Sequence, residues 1–450
     1  MFLADLPVTL AHPLTEPGAL PVPPAVVGTL AVCTIMAAAR VGGRGRAATA
    51  TVPVAREPET ATAPPDQATA SPDPATALPD QATVPPNQAT ASPDPATAPP
   101  AEAAVDRLSP ARLVTRAVSL ALFVLAIVAG RIGVPETVDN LAPVLVVGFA
   151  WPALILASAV LGDVWGWINP WDSLARLLTP LGADDEALEV ADVRWAVPAA
   201  AAWVAYLHLF GGTYVPRDVA TALTGYTLVT LAGCLAVGRR RWLGSAEVFT
   251  VFFGWVALLR SGGLRTWSPP RGASAVLGVL AGGLLFGVFE PSSLWGSLDI
   301  GVRAGRNAVF GLVGFCLLGW MLLALLERYA RRLRAEHGSV LAAAVPTVAG
   351  IAVAVALYRS RLPTSAQLLV KLPSDPFGYG WDLFGTAGIE AHPNPLGNPG
   401  LTLTQVLVLA LGGVAGVVVA RRRTRARAAE PALIAACVLA ATGVMAVAAI

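Results

Sequence analysis

Lysine is almost missing from this 450-residue chain: Lys371 is the only one among 31 basic residues. Charge of either sign is scarce, at 13% of residues, while apolar residues reach 55% and the mean hydropathy is +0.63. A soluble domain carries roughly twice that charge, about a quarter of its residues, so the composition excludes one and requires an integral membrane protein. Cysteine is nearly as rare. Cys33, Cys234, Cys316 and Cys437 each stand alone in an apolar run with no CxxC spacing, which reads as buried small side chains rather than disulfides or metal ligands. The four histidines His12, His208, His337 and His392 are scattered, and HExxH, HxH, GxSxG and DxD are all absent. No metal framework and no marked serine nucleophile follow from such a sequence, and it names no cofactor.

What is present is a series of apolar runs. They predict transmembrane helices at 22–39, 113–130, 141–161, 195–210, 219–237, 273–289, 308–326, 340–358, 401–420 and 431–450. Fourteen further apolar residues at 246–259 are short for a span and fit a re-entrant segment. With that assignment Arg239-Arg240-Arg241, Arg328 to Arg334 and the 421–427 run RRRTRAR all fall on the cytoplasmic side, and both termini fall outside. The position of RRRTRAR flush against a span explains it by topology, so no nucleic-acid partner is expected. The expected fold class is an all-α integral membrane protein of about ten transmembrane helices, one re-entrant segment and one interfacial helix. The bilayer is its first partner, and a membrane-protein partner is compatible with it.

Three parts can be separated. Residues 1–46 hold an outer N-terminus and a first span, and 47–112 form a cytoplasmic linker. Residues 113–450 make the polytopic domain. Within the linker ATAPPDQATASPDP begins a 14-residue repeat whose prolines forbid helix and whose small side chains leave nothing to bury. At 165–181 a Trp-rich stretch predicts a short interfacial helix. Asn169 is its N-cap and Pro170 its first residue; Trp171, Leu174, Leu177, Leu178 and Leu181 form an apolar stripe opposite Asp172, Ser173, Arg176 and Thr179.

Neither a span nor a linker, the stretch 374–387, SDPFGYGWDLFGTA, sits among the outer loops. Phe377, Tyr379 and Trp381 alternate with Gly378 and Gly380, so in extended chain the three rings share a face, as suits a loop at headgroup level. Asp375 and Asp382 supply carboxylates on that loop. Seven extended residues would hold them roughly 23 Å apart, so their convergence requires a turn at Gly378 or Gly380. His208, Glu290, Asp299, Glu390 and His392 also fall on the outer side, and no ionisable group is expected at bilayer centre, which argues against a proton-coupled transporter. Internal symmetry between the halves, which would favour a transporter, is not evident.

SDPFGYGWDLFGTA closely resembles a signature of the polytopic bacterial membrane proteins labelled fenitrothion hydrolase-like. Weaker echoes follow the same order in ALPVPPAVV at 19–27, after Ala11-His12, in WGWINPWDSLARLL at 165–178 and in SAEVFTVFFG at 245–254. The resemblance spans most of the chain outside 47–103 and implies hydrolysis of an aryl phosphorothioate ester. If the chain is an enzyme, the residues themselves suggest an outward-facing site with Asp375 and Asp382 in the catalytic role and Phe377, Tyr379, Trp381 and His208 against the substrate. Where the family pattern places Ala-His pairs, this chain has Tyr358-Arg359-Ser360-Arg361 and the residues from Gly412-Gly413 to Ala420-Arg421. In place of an Asp-Gly pair after Phe289 stands Trp295-Gly296. The resemblance therefore implies shared architecture more strongly than shared catalysis, and the competing expectation is a non-enzymatic permease-like or assembly subunit.

Overall fold

The computed structural model describes residues 109–178, 192–210, 214–298, 304–359, 361–424 and 428–448. The span expected at 22–39, the repeat tract, Thr179, Leu181 and Asp299 lie outside the described residues. Among the described residues the regular elements are helices, and a single isolated bridge joins Asp192 to Arg271.

The chain runs through α1 (Pro110–Ile132), α2 (Pro143–Leu161), the single turn α3 (Trp165–Ile168) and α4 (Pro170–Leu178). Next come α5 (Ala196–Leu209), α6 (Pro216–Val237), α7 (Arg239–Ser245), α8 (Val248–Ser261) and α9 (Ala273–Phe289). The remainder is α10 (Ser293–Leu298), α11 (Ala304–Arg332), α12 (Ser339–Tyr358), α13 (Leu362–Lys371), α14 (Gly397–Arg423) and α15 (Glu430–Ala448). Local chemistry sets many boundaries. Ser109 caps α1, whose first residue is proline; Pro216 opens α6; and Gly162 and Gly238, at φ 95° and 93°, end α2 and α6 in a conformation that side chains resist.

Among the described residues seven helices, α1, α2, α6, α11, α12, α14 and α15, are long and apolar enough to cross a bilayer, and the number becomes eight if α7 and α8 form one bent span. The apolar runs expected at 195–210 and 273–289 are helices of 14 and 17 residues, α5 and α9, below the usual spanning length. The expected re-entrant run is also a helix, α8, but it is joined to α7 at a 70° bend.

Helix α12 is the centre of the bundle, and its most apolar 18-residue window is buried throughout. Its small residues explain how: a Cβ on Gly350 would press on the backbone of Gly412 in α14, so the two helices touch through glycine. Where lipid offers no hydrophobic drive for helix pairing, such close backbone packing is the main source of attraction. Around this core α1, α6 and α11 remain mostly exposed, with Leu113, Leu228 and Leu318 each more than half accessible, as lipid-facing helices are. One end of the bundle carries Arg116, Arg239, Arg260, Arg271 and Arg423. The other carries the 374–387 loop.

Candidate functional site

At the loop end, Gly378 and Gly380 take φ of 75° and 85° and turn the chain. The turn replaces the extended face with a compact ring cluster. Phe377 and Tyr379 stack at 5.7 Å, and Trp381 meets both edge-on at 5.4 and 5.9 Å. Asp375 is buried, and its carboxylate accepts the backbone N–H groups of Tyr379 (2.9 Å), Gly380 (2.6 Å) and Trp381 (3.1 Å). Asp382 accepts Ser374 Oγ (3.0 Å) and the Ala387 amide (3.0 Å). The Ala387 amide and then Ser374 hold the Asp382 carboxyl below the ordinary carboxylate range. Ser374 thus connects the second carboxylate to the loop, since its Oγ also accepts the Phe384 amide at 2.8 Å.

The whole loop is stitched to the α1–α2 connection. Val134 and Leu141 donate their amides to the Phe377 and Pro376 carbonyls, Tyr379 Oη donates to the Ile132 carbonyl, and Lys371 pairs with Asp139 at 2.8 Å. His208 stands in a different group of residues. Its ring packs edge-on to Phe286 against the Gly287 backbone, with both nitrogens buried and unbonded. Beside it Arg359 pairs with Glu290 at 2.8 Å and donates to the Leu207 carbonyl. His392 belongs to a third group, where its Nδ1 accepts the Asn394 amide and its own amide donates to Gln367. The outer ionisable residues are therefore divided among separate bonding groups. Among the described residues no three of His, Cys, Asp and Glu stand close enough together to hold a metal ion.

The basic end holds an arrangement that the sequence pattern did not expose. Asn169 does cap α4, its Oδ1 accepting the amides of Trp171 (2.9 Å) and Asp172 (3.1 Å). The helix does not sort its faces as the stripe implied. Trp171 and Asp172 are both buried, whereas Leu177 and Leu178 are exposed. The reason is electrostatic: Asp172 is drawn inward by Arg116 and Arg239, each at 2.5 Å, and by Arg176 at 3.2 Å one turn along. Burial alone would raise the Asp172 pKa; the three guanidiniums outweigh it and hold the carboxyl below its usual range.

A second helix break meets the first. Glu247, 1% exposed, caps α8 by accepting the amides of Phe249 (2.9 Å) and Thr250 (2.7 Å), and it also accepts Thr250 Oγ1 (2.5 Å) and Tyr226 Oη (2.6 Å). Two backbone amides and two hydroxyls thus converge on this buried carboxyl. Tyr226 is the eleventh residue of the 22-residue α6, about 16 Å from its end, so Glu247 lies near the level of the helix middle. Thr250 then closes the circuit, because its Oγ1 also accepts Asn169 Nδ2 and Trp165 Nε1, both at 3.1 Å. The cap of α4 and the cap of α8 are thereby one hydrogen-bonded unit, packed around by Trp165, Trp171, Phe249 and Phe253.

Between these two breaks lies a cavity of about 600 Å³. One stripe of α8 (Thr250, Gly254, Ala257, Leu258, Ser261) forms a wall, Arg239, Arg240 and Leu243 of α7 a second, and Asp163, Trp165, Asn169 and Asp172 a third. The volume is in the range of small-molecule sites. Sequence signals for it did exist: an N-cap followed by proline at 169–170, an acidic residue directly before a short apolar run, and an arginine triplet eight residues ahead of that acid. No protein-family model, no curated protein and no solved structure matches this chain.

Proposed function

We propose that this chain is a non-enzymatic, permease-like membrane protein that takes up a small solute in the cavity between the α4 and α8 caps. The observation that carries the reading is the meeting of two helix breaks, Asn169 and Glu247, on Thr250 at the cavity wall. Discontinuous helices that meet near mid-membrane and line a cavity are how transporters expose backbone groups and polar side chains to a solute, since broken backbone is tolerated there only beside protein or water. In this reading the arginine-rich end faces the cytoplasm and α7–α8 is re-entrant. The total is ten spans when 22–39 and the shorter α5 and α9 are counted.

A cysteine at Gly254 tests it, because a side chain added there meets nothing within 4 Å and points along the cavity wall. In inside-out vesicles Gly254→Cys should react with an uncharged, membrane-impermeant maleimide within a few-fold of the rate at exposed Ser261→Cys, with the wild-type chain as blank. Lack of reaction in these vesicles would remove the cytoplasm-facing cavity.

The second reading is an outward-facing hydrolase of the fenitrothion hydrolase-like kind, and the 374–387 motif favours it. Its chemistry would need Asp375 or Asp382 to act as a base, while three backbone amides already occupy Asp375. Membranes containing the protein, supplied with an aryl phosphorothioate, are expected to release no nitrophenol above background. Release that vanishes in the Asp375→Asn, Asp382→Asn double variant at matched expression would establish the hydrolase instead.

A further inference from the structure

At the loop end the chain leaves two large apolar side chains in the open and fixes the backbone that carries them. Leu383 is 62% exposed and Phe384 70%, yet both amides donate to the fully buried Ser374, one to its carbonyl at 3.2 Å and the other to its Oγ at 2.8 Å. Tyr379 and Trp381, in ring contact beside them, are exposed as well. A pinned backbone that presents four such side chains cannot fold over to cover them, and an apolar patch of this kind marks a contact surface.

The seating of the patch identifies what covers it. Phe377, Leu368 and Leu372 pack with Ala129, Leu141 and Val144 in a small core apart from the main one, which seats α13 and the loop on α1 and α2. Helix α1 faces lipid. Along it Val124, Val128 and Ile132 recur every fourth residue as one exposed row, and the carbonyl of Ile132, where row and helix end, accepts Tyr379 Oη. The 23 residues of α1 rise about 34 Å against a hydrocarbon core of about 30 Å, which brings Ile132 out at the edge of the acyl region. The apolar surface of the loop thus continues the lipid-facing surface of α1 at the level where Tyr and Trp are favoured. Asp382, the one charge between the rings and Leu383, turns its carboxylate back onto Ser374 Oγ and the Ala387 amide, which lowers the cost of holding it close to lipid.

We infer that the partner of this patch is phospholipid. Leu383 and Phe384 enter the leaflet at the loop end of the bundle as far as the upper acyl chain, and Tyr379 and Trp381 form a collar at the glycerol and headgroup level. The rings expected at the surface are therefore the collar, and the two apolar residues after them are what penetrates. This assignment needs neither the solute cavity nor a choice of sidedness, so the failure of either leaves it in place.

The test attaches the polarity-sensitive fluorophore NBD to Phe384→Cys and, separately, to Leu383→Cys in the full-length protein, with the wild-type chain carried through the same labelling as blank. Both substitutions fall on exposed side chains, so the fold is not at stake. In phosphatidylcholine liposomes holding about one protein each, a nitroxide near the carbonyl end of the acyl chain should quench either label at least about twofold more than one near the methyl end, as a shallow insertion requires. Aqueous iodide should quench it several-fold less than it quenches NBD-cysteine in solution. Iodide quenching close to the free level, with little from either nitroxide, would leave the loop in water and overturn the inference. Shielding from iodide and both nitroxides would mean that protein covers the patch, which overturns it equally.

Discussion

Asp172 is the side chain on which the basic end depends. Arg116 and Arg239 reach it with side chains that are each 8% exposed, and a guanidinium left in such a place without its carboxylate is costly. Asp172→Asn keeps the shape and removes the charge, so it is expected to destabilise the protein by about 3–5 kcal/mol, seen as a lowered unfolding temperature in detergent. The pH dependence has a definite sign. Because the folded state holds this carboxyl below its ordinary range, the stabilisation is complete above that range and is lost as pH falls below it through the depressed folded value. The gap in unfolding temperature between wild type and Asp172→Asn should therefore be widest near neutrality and close under acid. A gap independent of pH would mean that the arginines are held by something other than this charge. Asp375 is a contrasting case. Its three backbone donors identify it as the organiser of the aromatic turn, with a role in loop geometry that the motif alone did not distinguish from chemistry.

Helices α4 and α8 are each capped by one residue, and the two caps are joined through Thr250. Cap and joint can be separated by substitution at Asn169. Serine retains a side-chain oxygen for the Trp171 and Asp172 amides but gives up the Nδ2 donor to Thr250, whereas alanine loses both. Loss of the cap is expected to cost about 1 kcal/mol, and loss of the cross-link a further 0.5–1.5 kcal/mol or so. Unfolding temperatures should then rank wild type above Asn169→Ser and Asn169→Ser above Asn169→Ala. Equal values for the serine variant and wild type would show that the two breaks are held together by ring packing around Trp165 and Phe253 rather than by the hydrogen bond. The interfacial character of α4 divides along its length for the same reason: Leu177 and Leu178, beyond the reach of the cluster, stay exposed, while Trp171 is locked by Thr227 Oγ1 at 3.0 Å.

For the whole molecule, the arginine distribution and the bent α7–α8 pair must agree on one topology. If α7–α8 enters and leaves by the same side, residues after it keep their orientation, and an impermeant thiol reagent added outside intact cells should reach Gly388→Cys and miss Ser261→Cys. Both positions are suited to the test, since Gly388 has open space around its Cα and Ser261 is exposed at the end of α8. The reverse pattern would put the arginine-rich end, and the cavity with it, outside.

Membrane residence, the positions of the long helices and the N-cap at Asn169-Pro170 were all legible along the chain, because hydropathy and capping are local properties that a few consecutive residues decide. The turn at Gly378 and Gly380 stood in the sequence only as the condition for bringing Asp375 and Asp382 together, beside the extended reading that the structure replaces. What only the tertiary structure decided is which polar groups meet. Trp165 and Thr250 are separated by 85 positions and Arg239 and Asp172 by 67, so nothing in either stretch announces the other. An Asp on the polar side of a short amphipathic helix looks solvated until two arginines from other helices close over it. A Glu ahead of a short apolar run looks like a boundary until Tyr226 meets it from the middle of α6.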